Sequence, residues 1–413
     1  MIFDLAVAGA GPAGSCTAAF AAREGLRVVL LDRCRFPRDK ACGDGVTSPA
    51  LNVLERLGLL EIIESGGFHQ GHGFILTSPR GESFRCDSPV VDGLRPYGYN
   101  VPRKVLDHML VQRAQELGAR LMEGFRAVEM IPSAGQAGLI RSADGREVRA
   151  RLIVRADGGL SMIRSDEGGC LSRRAERNSV PMMRHERNWC AAVRAYFDGV
   201  EGLRPGYPEI TFFPFSAAGY AWIFPLGPER ANVGIGSLLH ASVPGMRSLF
   251  KRFVESHMCS GGRLRRARQD GSLRGGLLPM GPRFGGTVAD GLIVAGDAAG
   301  FVDPLTGEGI YYALRSGEMA AAQSLEALRS RDVSRAALWG YEAGWRRDFG
   351  WNLRTGLRLR PWLARKPLID LAFSRIARDK RSSDILAGII GNLYPKSKFL
   401  SPRFMGRIFF PRH

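Results

Sequence analysis

Three groups of residues have types and spacings suited to joint chemistry. Gly9-Ala-Gly11-Pro12-Ala13-Gly14 has the spacing G-x-G-x-x-G, and Asp32 follows 18 residues after Gly14. Such glycines permit a tight turn, let backbone approach a pyrophosphate and let a helix pack closely on a sheet, while the acid takes a ribose hydroxyl. By itself the pattern reads as dinucleotide binding and does not separate FAD from NAD. Ala156-Asp157-Gly158 and Gly296-Asp297 each end a later apolar run. Taken singly, Asp157 reads equally as a turn residue and Asp297 as a helix cap. Between these groups, Lys40-Ala-Cys42-Gly43-Asp44-Gly45 sets a thiol beside a lysine and two glycines. The N–H groups of Gly43 and Gly45 could stabilise a thiolate there. Cys42 therefore reads either as a group acting on substrate access or protonation, or as a small packing residue beside the cofactor.

These groups need strands and helices to hold them. An apolar strand runs from Phe3 into Gly9, an apolar helix follows through Ala18 to Ala22, and a second strand, Arg27 to Leu31, ends at Asp32. Ser48 is expected to cap a helix with Pro49 at its first position. That helix carries Leu51, Leu54 and Leu57 at helical spacing. Residues 73–90 read as short strands about a turn at Pro79-Arg-Gly81. Residues 102–117 read as a helix with Val105, Leu106, Leu110 and Ala114 on one face. Two strand-like pieces flank Asp144-Gly145, and Leu152 to Asp157 reads as another buried strand. From about 165 to 275 the texture is that of a separate antiparallel sheet: Cys190–Phe197, Glu209–Phe215, Tyr220–Phe224 and Asn232–Gly236, then a helix over Val243–Met258. The strand Gly291–Asp297 and a long helix from Gly309 to Arg329 follow. From about Ser334 the chain reads as helical, aromatic and basic.

Jointly, in this order, the three motifs resemble the flavoprotein class typified by para-hydroxybenzoate hydroxylase. That resemblance implies FAD, with Asp297 on the ribityl chain and Arg103, heading its helix, in contact with the cofactor. Three stretches further resemble the geranylgeranyl reductase family: Lys40 to Gly45, Tyr220-Ala-Trp222-Ile-Phe224-Pro225 with Asn232-Val-Gly234-Ile-Gly236 after it, and Gly296-Asp297 through Pro304-Leu-Thr306-Gly307-Glu308-Gly309-Ile310. Asp44 departs from the commoner glycine and resembles bacterial members that reduce a menaquinone side chain. The implied fold is α/β, a Rossmann-type FAD-binding domain (1–72, 101–165 and 276–333) interleaved with an antiparallel-sheet substrate domain (73–100 and 166–275), plus a C-terminal helical, basic segment (334–413).

The resemblance implies an enzyme that uses reduced FAD to saturate C=C bonds of a prenyl or terpenoid chain, with an external electron donor: NADPH, reduced flavin or ferredoxin. An unactivated alkene has no carbonyl to polarise, so hydride and proton must arrive from fixed positions in a water-excluding pocket. Expected cofactor contacts are Gly9, Gly11, Pro12, Ala13, Gly14, Asp32, Arg33, Cys42, Gly43, Arg103, Asp157, Gly296, Asp297, Pro304, Gly307, Gly309 and Ile310. Cys42, Gly43 and Asp44 are the expected catalytic residues. Tyr220, Trp222 and Phe224 alternate on one strand, share a face, and are read as substrate wall against the alternative of ordinary sheet core. The helix beginning near Gly309 would aim its positive end at the flavin. Glu308 reads first as a helix-start residue, with acid catalyst as the alternative. The competing readings are a flavin monooxygenase or tailoring oxidase and a flavin protein that only carries electrons. A halogenase would need a Trp-x-Trp-x-Ile-Pro stretch, which is missing.

Composition bounds the rest. Seven scattered cysteines with no C-x-x-C do not suggest a disulfide framework or a metal site, and a reducing cytoplasm fits. No apolar run of membrane-spanning length is present, and no signal peptide is read at the N-terminus. The net charge is +18, and residues 350–413 hold 14 Lys/Arg against 3 Asp/Glu. This excess reads as a solvated, arginine-biased surface, as a peripheral membrane contact or as a site for an acidic partner. Nucleic acid is not expected.

Overall fold

The computed structural model describes residues 1–160, 164–165, 188–212, 219–239, 245–256, 262–282, 286–363 and 365–409. Ile2–Ala8 lies inside a nine-stranded sheet, parallel to Val28–Leu31 on one side and to Glu147–Arg155 on the other. Leu292–Val294 joins Glu147–Arg155, also in parallel. Strands buried on both faces need apolar residues throughout, which is why Leu5, Ala6 and Val7 and the run Val28–Leu31 leave no polar side. Helix Pro12–Arg23 packs on helices Arg103–Glu116 and Ile310–Ser330. The crossing with Ile310–Ser330 is close: a Cβ on Gly317 would lie 2.4 Å from the Ala13 carbonyl oxygen.

A second sheet has seven strands. Their order is Arg268–Pro279, Trp189–Asp198, Arg230–Leu238, Gly219–Pro225, Glu209–Phe212, Gly73–Thr77 and Ser83–Asp87. All pairs are antiparallel except Glu209–Phe212 with Gly73–Thr77. Along Gly219–Pro225 the faces divide. Ala221 and Ile223 pack with Val233, Ile235 and Leu249, Phe250 and Phe253 of helix Met246–Glu255. Tyr220, Trp222 and Phe224 turn the other way, into a cavity.

The tail forms helices Arg335–Trp345, Trp351–Leu363, Lys366–Ile376, Lys380–Ile390 and Pro402–Phe409. Ile369, Phe373 and Ile376 bury themselves against Leu76, Cys86 and Ile210 of the second sheet. The basic segment is thus part of the folded body. Among the described residues no helix is long and apolar enough to cross a membrane.

Several expectations are corrected. Thr47, not Ser48, is the N-cap, and Pro49 falls at the second helical position, which a first turn tolerates equally. Val105 is exposed while Leu106, Leu110, Val111 and Ala114 are buried, because position 105 lies off their stripe. The piece after Asp144-Gly145 and the strand at Leu152 are one nine-residue strand, Glu147–Arg155. The helix expected over Val243–Met258 is Met246–Glu255, with 243–244 and 257–258 outside the described residues, as are 213–215 of the expected strand Glu209–Phe215. The 12-residue edge strand Arg268–Pro279 was not foreseen: its Arg, Gly and Asp residues give no alternation to read.

Candidate active site

A cavity of about 660 Å³ extends from the Gly9–Gly14 turn to the aromatic strand Gly219–Pro225. Gly9 has φ +101°, and a Cβ there would lie 2.4 Å from the Ala156 carbonyl oxygen, so only glycine lets the first turn sit on the Ala156-Asp157 strand end. Gly14 faces inward, where a Cβ would meet the Gly9 carbonyl oxygen at 1.8 Å. Gly11 faces the cavity. Asp32 sits at the strand end, its Oδ2 accepting from the Ala10 N–H at 2.8 Å and its Oδ1 from the Cys34 N–H at 2.8 Å. The turn, a bare helix N-terminus and a fixed acid form a cradle that fits the pyrophosphate and ribose of a dinucleotide.

Of the expected cofactor residues, Pro12, Ala13, Arg33, Cys42, Gly43, Arg103, Asp157, Asp297, Pro304, Gly307, Gly309 and Ile310 also line the cavity. Gly14 and Gly296 do not. Both sit in close packing, Gly296 at φ +61° with a Cβ position 2.8 Å from the Ala13 side chain. Arg103 is buried and binds Asp107 through two bonds, Nε to Oδ1 at 2.7 Å and Nη2 to Oδ2 at 2.8 Å. Arg38 reaches the same carboxylate at 2.9 Å and lies beside Gly11. One Asp107 therefore fixes two guanidinium groups at the dinucleotide end. Neither Asp107 nor Arg38 was singled out in the sequence, although Arg103 and Asp107 have the spacing of a helical ion pair.

Asp44 is the clearest departure. It was expected to be catalytic, yet its side chain has no exposed surface and is turned away from the cavity. Its backbone is left-handed, φ +65°, which explains why glycine suits this position. Three donors hold it there: the Arg103 N–H at 3.1 Å to Oδ1, with the Tyr196 hydroxyl at 2.8 Å and the Asn232 amide at 2.7 Å to Oδ2. Burial raises its pKa to about 6 even so. Cys42 lines the cavity, but its expected thiolate is corrected. Burial pushes the thiol above its ordinary value, the Arg103 charge working against this and the Asp44 charge with it. The backbone N–H seen on its sulfur is that of Asp44, at 3.4 Å, rather than those of Gly43 and Gly45, and the Arg103 side chain also hydrogen-bonds it.

Asn232 joins the two halves of the site. Its Oδ1 accepts from the Trp222 indole N–H at 2.9 Å, while its Nδ2 donates to Asp44 and, at 2.8 Å, to the Cys42 carbonyl. Trp222 pairs directly with Gly234 across the sheet, and a Cβ on Gly234 would lie 2.1 Å from the indole. The glycines after Asn232 thus make room for the ring. Tyr220 donates its hydroxyl to the Thr306 carbonyl, tying the aromatic strand to the Pro304–Gly309 loop. That loop is built around Asp303, whose Oδ1 accepts from Leu305 N at 2.8 Å and Thr306 N at 3.1 Å. Asp303 forms a buried ion pair with Lys396 from the tail, a partner no local pattern announces. Helix Ile310–Ser330 starts after Gly309, so Glu308 precedes the first turn. Its Oε1 accepts from the Tyr311 N–H at 2.9 Å, occupying one N-terminal donor.

Comparison with known proteins agrees with this geometry. Residues 3–195 match the FAD binding domain family and residues 190–267 the geranylgeranyl reductase catalytic domain family. Menaquinone reductase of Mycobacterium tuberculosis is 35% identical over 348 residues, covering 81% of this chain and 78% of its own length. Digeranylgeranylglycerophospholipid reductase of Methanosphaerula palustris is 32% identical over 350 residues, covering 82% and 80%. The crystal structure of a geranylgeranyl bacteriochlorophyll reductase-like protein from Thermoplasma acidophilum superposes with a TM-score of 0.80 at 24% identity, covering 97% and 98% of the two chains, a likeness of fold. The glycine cradle, the strand-end acids and these relatives together identify FAD as the cofactor, and the chain belongs to the geranylgeranyl reductase family of FAD-dependent oxidoreductases.

Proposed function

We propose that the protein saturates C=C bonds in the prenyl chain of a lipid or quinone, taking electrons from an external donor of the NADPH, reduced-flavin or ferredoxin type. The observation that carries this reading is the apolar continuation of the cavity beyond the cofactor loops. Ile210, Trp222, Leu278, Met280, Ile369 and Leu393 line it, a surface for a hydrocarbon chain. The relatives named as reductases of menaquinone and of a digeranylgeranyl lipid support the same substrate class. The reduced cofactor supplies a hydride when bound. The chain's part is to hold the alkene still beside it and keep water out, through Tyr220, Trp222 and Phe224 on one wall and Pro304–Gly309 on the other. Arg38, Arg103, Asp157 and Asp297 are the side chains proposed to hold the nucleotide. Cys42 and Gly43 are the loop residues proposed to face the reacting end, with Asp44 acting from behind as a positioning residue.

A membrane contact follows from the same reading. Trp351, Arg358 and Trp362 form one exposed stripe of helix Trp351–Leu363. Arg358 stacks on Trp351 at 5.7 Å and Arg365 on Trp362 at 5.8 Å. The same helix contributes Arg360 to the cavity wall. An aromatic and basic stripe of this kind suits an anionic lipid surface, where a prenyl substrate resides. We infer a cytoplasmic protein that touches a membrane from one side.

The deciding experiment reduces the bound FAD without oxygen, adds a polyprenyl alkene, and follows flavin reoxidation and product mass. A product heavier by two hydrogens is expected. Reoxidation that requires oxygen and adds one oxygen atom would replace the proposal with a monooxygenase.

A further inference from the structure

Among the described residues five acidic side chains line the cavity: Asp32, Asp39, Asp157, Asp297 and Glu308. Four of them face a cation. Asp32 lies 3.9 Å from Arg38, Asp39 lies 3.1 Å from Arg274 and also pairs with Arg194, Asp157 lies 3.2 Å from Arg155, and Asp297 lies 2.9 Å from Lys40. Among the described residues Glu308 has no ion pair. The cation whose charge acts on it is Lys396, and that ammonium is committed to Asp303, whose own charge repels a Glu308 carboxylate.

We propose that Glu308 is the general acid of the reductive step, holding a proton in the cavity and delivering it to the alkene. This rests on the reductase reading above. Saturating a C=C bond takes up one hydride and one proton. A hydride, which the reduced cofactor would supply when bound, forms the first C–H bond with its two electrons. The O–H bond of Glu308 breaks, its proton forms the second C–H bond on the neighbouring carbon, and a carboxylate remains. The carboxylate regains its proton from solvent before the next turnover.

The surroundings of Glu308 suit an acid kept neutral. Its Oε1 accepts from the Tyr311 N–H at 2.9 Å, and its Oε2 accepts from the Asn392 Nδ2 amide at 3.5 Å. The first contact fixes Oε1, and the second is long, so that Oε2 can carry the proton while still accepting from Asn392. Groups that face it from the neighbouring elements are Asp303 and Lys396, together with Tyr220, Tyr311 and Tyr312, whose phenols burial keeps un-ionised. Burial, ahead of the Tyr311 bond and the Asp303 and Lys396 charges, raises its pKa to about 8. Competing donors hold their protons harder. The Cys42 thiol is pushed above its ordinary value, and Tyr220 has its hydroxyl proton on the Thr306 carbonyl. Thr306 also accepts from the Glu308 N–H through Oγ1 at 3.3 Å, so the acid belongs to the loop that touches the aromatic strand. A general acid is matched to its task when its pKa lies near the working pH.

The test uses Glu308→Gln, which keeps an acceptor for the Tyr311 N–H. Infrared difference spectra of the FAD-loaded, substrate-free protein between pH 6 and pH 10 should show one carboxylic acid band lost near pH 8 in the parent and missing from the variant. In single turnovers with pre-reduced enzyme and a polyprenyl alkene, the parent rate should fall as pH rises through about 8. The variant should be slower by about a hundredfold or more, with no break there and with unchanged FAD affinity. In heavy water the parent should place one deuterium with fixed stereochemistry at the protonated carbon, and residual variant product should lose that stereochemistry. Full variant rate with the parent pH profile, or a parent carboxyl that titrates in the ordinary range, overturns the assignment. Should the parent protein reduce no alkene, the reductase reading itself falls and the donor role with it, whereas a slow variant beside an active parent leaves that reading standing.

Discussion

Gly234→Ala tests how the aromatic wall is held. The built Cβ lies 2.1 Å from Trp222 Cζ2 and 2.5 Å from Cε2. Carbon atoms settle near 3.5–4.0 Å, so the indole must move by about 1.5 Å. The paired strands fix the distance between the two backbones, and Ala221 and Ile223 on the opposite face are buried against helix Met246–Glu255. The ring can only swing into the cavity, which breaks its bond to Asn232. The loss is about 1 kcal/mol for the hydrogen bond and about 1–3 kcal/mol for overpacking. Global unfolding of so large a chain is a poor readout. The indole N–H signals of ¹⁵N-labelled protein are a better one, since only six tryptophans contribute. The Trp222 signal, identified by its absence in Trp222→Phe, should shift and lose protection from exchange by roughly fivefold or more, in line with losing about 1 kcal/mol. An unchanged Trp222 signal in Gly234→Ala would refute the claim that this glycine exists to seat the ring.

Three further outcomes are expected. Asp44 has its folded pKa raised from 3.8 to about 6. Its contribution is therefore fully present below about pH 4 and lost as pH rises through 6, a swing of about 3 kcal/mol. Asp44→Asn has no such loss, so the temperature at which bound FAD is released should move in the variant's favour relative to the parent between pH 4 and pH 7, and a flat difference would contradict this. Lys396→Met strands the buried Asp303 charge at a cost of about 3–5 kcal/mol. FAD should be released at lower temperature, and a second change, Asp303→Asn, should restore part of the loss. Replacing Trp351 and Trp362 together by Ala should weaken binding to anionic liposomes at low salt by about a hundredfold, at roughly 1.5 kcal/mol per exposed ring lost. Equal binding of the parent to neutral liposomes would count against the membrane contact.

The dinucleotide turn was legible in the sequence because its requirement is local. Gly9 must take positive φ and Gly14 must touch backbone, and no other residue type meets either demand. The face of Tyr220, Trp222 and Phe224 followed from the two-residue repeat of a strand, which no tertiary contact can change. Cys42 shows where local reading stops. Its glycine neighbours suggested stabilising N–H groups, but the charge state of a thiol depends on how much water reaches it, which only the packed loop decides. Asp44 was visible as an oddity without its cause. The left-handed backbone lies in the loop, while two of the three donors that hold the carboxylate come from strands far along the chain. Asn232 stood inside a recognised stretch, yet nothing in its neighbours says that it spans both halves of the site. The edge strand Arg268–Pro279 had no apolar period, because its pairing to Trp189–Asp198 stabilises it without burying a full face.

The pairing of Asp303 with Lys396 also bears on the order in which the molecule can be made. The nucleotide cradle at Gly9–Gly14 is made well before the loop at the reacting end, and that loop acquires its countercharge from a residue made later still, Lys396. A nascent chain could fold the Gly9–Gly14 turn early and still hold an uncompensated Asp303 until residue 396 arrives. Contacts this distant in sequence form slowly. Tight loading of the cofactor then waits for Lys396, and a polypeptide stopped before that residue is left with an apolar cavity open to the aggregation that such intermediates undergo.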